Sequence, residues 1–75
     1  MNLTVKLRKD DSTRRMVKAL RRCGKDALVL MAYNRLPGRE LMSFHEDARM
    51  KLMRETRRTL VRFVAAKMKA NGEVA

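Results

Sequence analysis

The chain has no tryptophan, and cysteine, histidine, proline and tyrosine occur only once each. Each scarcity excludes something. A single cysteine, Cys23, cannot close an internal disulfide, and Cys23 with His45 cannot supply the four ligands of a structural zinc site. His45 stands beside Glu46 and Asp47, with Ser43 two residues away, and Ser43 reads better as a helix cap than as a nucleophile. That set falls short of the nucleophile and oriented base that hydrolysis requires, so neither an enzyme nor a cofactor is expected. No glycine-rich phosphate loop is present. Apolar runs are short: the longest, Ala27 to Tyr33, has seven residues, against the ~20 needed to span a bilayer. The opening, Met1 to Asp11, is polar and lacks the apolar stretch of a secretory signal. With only Tyr33, Phe44 and Phe63 aromatic, base-stacking surface is scarce, and no signature of a common RNA-binding module is present.

What is abundant is positive charge. In 75 residues there are 19 Lys and Arg against 8 Asp and Glu, a net charge of +11. Arginine dominates, and its planar guanidinium suits bidentate contact with phosphate. Such a density of like charge opposes a compact state. A polyanion relieves it through neutralisation and counterion release. A chain this short buries only about 60% of the surface it exposes when unfolded. With neither disulfide nor metal, a partner is expected to hold it in shape, and RNA fits the charge.

The residue pattern predicts one all-α domain of two basic helices, arranged as a hairpin or an open L, behind a short extended arm. The arm covers 1–10. Leu3, Val5 and Leu7 alternate with Thr4, Lys6 and Arg8, the period of an extended segment. Asp10, Asp11, Ser12 and Thr13 are all competent N-caps, and Asp11 is placed to pair with Arg15. A helix is predicted over 12–35, with Met16, Leu20, Cys23, Ala27 and Leu30 or Met31 recurring at helical spacing. Gly24 falls mid-helix, either as a tolerated weakness or as a point of close backbone approach. Pro37-Gly38 marks a linker over 36–42. A second helix is predicted over 43–70, opened by the capping-box spelling Ser43-x-x-Glu46 and closed by Asn71-Gly72. Gly72 to Ala75 are expected to fray. The seven methionines supply adaptable apolar surface for the helix seam or for a protein neighbour.

The stretch Arg54-Glu55-Thr56-Arg57-Arg58-Thr59 is polar all round. A helix section without an apolar face is not held by a core, so this stretch reads as a phosphate-facing ridge. The candidate nucleic-acid contacts are Arg8 on the arm; Arg14, Arg15, Lys18, Arg21 and Arg22 on the first helix; and Arg49, Lys51, Arg54, Arg57, Arg58 and Arg62 on the second. Without base-reading aromatics, recognition should rest on backbone charge and shape.

The layout resembles one family, the small-subunit ribosomal protein numbered twenty-one, found in bacteria and mitochondria. Val5-Lys6-Leu7-Arg8 looks like its opening strand, Ala19-Leu20-Arg21-Arg22-Cys23 like its first helix, and Arg49 through Arg58 like its arginine-rich second helix. Phe44-His45-Glu46-Asp47 falls where the family has an aromatic pair followed by Glu-Lys-Pro. Ala48 stands where that proline would be, and the linker is longer. The resemblance spans roughly residues 5 to 69. It implies a structural component of the small ribosomal subunit, binding rRNA and touching neighbouring ribosomal proteins, in the mitochondrion or the bacterial cytoplasm. The alternative from the residues alone is a virus- or bacterium-encoded DNA-binding or regulatory protein acting as a helical dimer. A third reading, a membrane-surface helix, is disfavoured by narrow apolar faces and absent tryptophan.

Overall fold

A computed structural model describes residues 3–36 and 45–73, which form four α-helices and no strand. They are α1 (Asp11–Leu20), α2 (Lys25–Tyr33), α3 (His45–Arg54) and α4 (Arg57–Ala70). The all-α class and the extended arm are as expected. Each of the two long helices, however, is divided. The predicted linker at 36–42 lies, apart from Leu36, outside the described residues, as do Ser43 and Phe44 of the expected second helix start.

The first division follows from local chemistry. Asp10 caps α1, its Oδ1 accepting the Thr13 N–H at 2.8 Å. Thr13, Met16 and Leu20 form the buried face of α1, while Arg14, Arg15 and Lys18 stay exposed. Beyond Leu20 the backbone tightens, with Cys23 N–H bonded to Leu20 C=O at 3.0 Å. Gly24 then takes an extended conformation (φ −66°, ψ 160°) as N-cap of α2. Gly24 is therefore neither a mid-helix weakness nor a close approach, since a Cβ there would meet nothing within 4 Å. The break frees the carbonyls of Arg21 and Cys23. One nitrogen of the Arg57 guanidinium donates to both at 2.8 Å.

The second division corrects the reading of the polar stretch at 54–59. It is a helix junction, not a continuous ridge. Thr56 caps α4, its Oγ1 accepting the Thr59 N–H at 3.1 Å. Capping and turning need polar side chains, which is why no apolar face runs through the segment. Arg54 and Arg58 thus belong to different helices.

α4 organises the core. It packs against α1 and α2, and α2 packs also against α3. Leu28, Leu52, Leu60 and Val64, contributed by α2, α3 and α4, are fully buried. Leu3 from the arm and Leu36 after α2 join the same cluster. The radius of gyration is 12.0 Å, against roughly 11 Å for a compact chain of this length and roughly 27 Å for an unfolded one. The core is thus more continuous than composition suggested. Cys23 is one of the partly buried residues packed at its edge.

The C-terminal stop at Asn71-Gly72 holds, and Gly72 and Glu73, expected to fray, are hydrogen-bonded to the end of α4; Val74 and Ala75 lie outside the described residues. Gly72 adopts φ +68°; its N–H bonds Lys69 C=O at 3.1 Å, and Glu73 N–H bonds Met68 C=O at 2.9 Å. This pair of bonds is the Schellman arrangement. Glu73 is also clamped by Arg35, whose Nε donates to Oε2 at 3.2 Å while a second nitrogen holds Oε1. The two glycines should respond oppositely to substitution. Gly72→Ala forces a β-carbon into the left-handed region and should destabilise the fold by about 1–2 kcal/mol. Gly24→Ser adds a capping hydroxyl in open space and should stabilise by about 0.5 kcal/mol. Thermal unfolding followed by circular dichroism checks both.

Candidate nucleic-acid interface

The arm leaves its buried anchor at Leu3 and runs alongside α4 towards the start of α1. Its alternation holds: Val5 and Leu7 pack on the core, while Thr4, Lys6 and Arg8 are exposed. Between the arm, α1 and α4 lie two adjoining depressions that share Leu7, Val17, Arg21 and Arg62. Together they form one groove. Its apolar residues are Leu7, Val17 and Val61. Its cations are Arg8 and Lys9 from the arm, Arg14, Lys18 and Arg21 from α1 and its end, and Arg57, Arg58 and Arg62 from α4. Among the described residues, no Asp or Glu lines it. Arg14 lies 3.9 Å from Asp11, an exposed i,i+3 pair that replaces the expected Asp11–Arg15 contact.

Two of the acids, Asp10 and Glu73, are engaged elsewhere. Asp10 is gripped by Lys69, whose Nζ reaches Oδ1 at 3.1 Å, Oδ2 at 3.0 Å and the Thr13 hydroxyl at 2.9 Å. This contact ties the start of α1 to the last turn of α4. Glu73 answers Arg35. Lys69 and Arg35 are outside the groove, and among the described residues the groove's own cations have no ion pair but the long Asp11–Arg14 contact.

These two clamps make stability depend on pH. The Thr13 backbone N–H, the Thr13 hydroxyl and Lys69 hold the Asp10 carboxyl well below the usual carboxylate range. Arg35 and then the Asn71 amide lower Glu73. A carboxylate with a depressed folded-state pKa stabilises fully above its unfolded value, near ~4, and loses that contribution as pH falls through the folded value. The melting temperature should therefore drop below about pH 4. The double variant Asp10→Asn, Glu73→Gln should show a shallower drop, measured by thermal unfolding from pH 7 to pH 2.

Of the expected contact residues, the groove brings together Arg8, Arg14, Lys18, Arg21, Arg57, Arg58 and Arg62. Arg15 and Arg22 are exposed near α1 without lining it. Arg49, Lys51 and Arg54 sit on α3, which contributes no residue to it. Arg49 and Arg54 instead flank exposed Met50 and Met53. Arg57 is occupied by its two carbonyls as well as facing the groove. Lys9 was not anticipated. Its signal was available, since it follows Arg8 directly at the point where the arm meets the α1 cap.

Among the described residues, no group of three or more His, Cys, Asp or Glu could hold a metal, and no helix is long and apolar enough to cross a membrane. No family model matches the chain, and no curated protein and no solved structure matches it.

Proposed function

We propose that this chain is a structural nucleic-acid-binding protein that seats an RNA backbone in the groove between the arm, α1 and α4, and that it acts by binding rather than catalysis. One observation carries the reading. The groove gathers cations from three separate chain segments, and among the described residues no carboxylate lines it. An accidental basic surface on a chain with eight acids would intersperse the two signs. Phosphates along the groove would neutralise this cluster and release their counterions.

The resemblance implies, for such a protein, a role in the small ribosomal subunit, mitochondrial or bacterial, beside protein neighbours. That context rests on the resemblance alone. The exposed Leu30, Met50 and Met53 of α2 and α3 are consistent with a protein neighbour away from the groove. Co-sedimentation with small ribosomal subunits at moderate salt is the expected result; free migration removes the ribosomal context.

The DNA-binding alternative gains one supporting feature. α1 and α2 are joined by a short turn ending in Gly24, the spacing of a helix-turn-helix. A recognition helix, however, offers its polar face to base edges. α2 buries Leu28, Val29 and Ala32, and exposes Asp26, Ala27 and Leu30. That is not a DNA-reading surface, so RNA is preferred. Fluorescence anisotropy with labelled RNA tests the binding reading. If about six phosphates are engaged on single-stranded RNA, affinity should fall about 300-fold between 50 and 200 mM salt. Salt-insensitive binding would reject it.

A further inference from the structure

The groove has two chemistries, and the second narrows the ligand. Among its cations the groove also has the apolar side chains of Leu7 and Val17, with Val61 buried beneath them. Leu7 and Val17 are only partly buried by the protein itself, so apolar surface remains for a ligand to cover. A duplex keeps its bases stacked inside and offers a concave protein surface only phosphate and sugar. It would meet the cations and leave the apolar side chains wet. Size points the same way: the body measures 36 × 22 × 17 Å. A groove that occupies part of one face of such a body is too small to enclose a duplex. A single strand is narrow enough. Its phosphates can follow the cations while its bases turn inward onto apolar side chains.

Resting on the RNA-binding reading above, we propose that the groove takes single-stranded nucleic acid, with bases against Leu7 and Val17 and phosphates on Lys18, Arg21 and Arg62. Because Leu7 and Val17 are aliphatic, they cover the bases without hydrogen bonds to their edges. Binding is therefore tolerant of sequence. It is also weaker per base than on an aromatic platform.

The test compares four labelled or competing probes on the full chain: oligouridylate of about ten nucleotides, an abasic phosphodiester of equal length, an RNA duplex, and polyglutamate of matched charge. Oligouridylate should bind about tenfold tighter than each of the others. Leu7→Gln and Val17→Gln should remove most of that preference while leaving duplex binding unchanged. The abasic comparison needs no variant and stands even if those substitutions disturb folding. Equal affinity for abasic and base-bearing strands overturns the base contact, and a duplex bound as tightly as the strand overturns the single-strand assignment. Either leaves nucleic-acid binding intact. Polyglutamate equal to oligouridylate removes both, as does failure to bind any nucleic acid.

Discussion

Replacing Arg21, Arg58 and Arg62 together by glutamine is expected to weaken RNA binding at 50 mM salt by about 100-fold or more. The size follows from counterion release. Each phosphate neutralised on a single strand contributes about 0.7 to the slope of log affinity against log salt, which at 50 mM amounts to roughly an eightfold gain. Three such contacts multiply to several hundredfold, and the slope itself should become shallower by about 2. The matched control is Arg49→Gln, Lys51→Gln, Arg54→Gln on α3. It removes the same net charge from outside the groove and should weaken binding by less than about fivefold, because distant charges are screened within a Debye length of ~10 Å. Equal losses in the two triple variants would mean that net charge, not the groove, recruits RNA. Arg57 is left out of the first variant deliberately, since its guanidinium also closes the turn between α1 and α2.

The second large effect concerns the fold. Leu52→Ala and Leu60→Ala each remove a fully buried side chain and should cost about 2–5 kcal/mol. A domain of this size rarely has more than about 3–5 kcal/mol in total, so either variant should be largely unfolded at 25 °C. Leu30→Ala, at a site 59% exposed, should change stability by no more than about 0.5 kcal/mol. Urea titrations of the three variants, followed by circular dichroism, give the comparison. Leu52 is the sharper probe because it is the fully buried residue of α3. A silent Leu52→Ala would mean that α3 is not docked on α2. If both leucine variants unfold as expected, RNA should raise the melting temperature of the wild-type chain by mass action on a formed site rather than create the helices.

Much of this was legible in the residues. Helical class, the alternating arm, the Asp10 region as a helix start and Asn71-Gly72 as a stop all follow from local chemistry, and local chemistry is what a sequence displays. Most groove cations were also visible as arginines on the arm, the first helix and the start of what became α4. The two helix breaks were harder. Gly24 and Thr56 are residues that tolerate either continuation or interruption. What decides is tertiary: Arg57 satisfies the carbonyls released at the first break, and the packing of α2 onto both α3 and α4 needs both bends. For the same reason the stretch at 54–59 reads from sequence as continuous helix, because a cap and a polar helix face have the same composition. The groove could not be read at all, since Leu7, Val17 and Val61 meet only after folding. Nor could the use of Asp10 and Glu73 by distant Lys69 and Arg35.

The central claim is that a pre-formed helical domain binds nucleic acid through this groove, and backbone amide chemical shifts test it most directly. A uniformly ¹⁵N-labelled chain should give a dispersed spectrum before any RNA is added. Titration with single-stranded RNA should then move the amides of Arg8, Lys9, Lys18, Arg21, Val61 and Arg62, leaving those around Leu30, Met50 and Met53 in place. A collapsed spectrum that sharpens only with RNA would contradict the pre-formed domain, and shifts centred on α2 and α3 would contradict the groove.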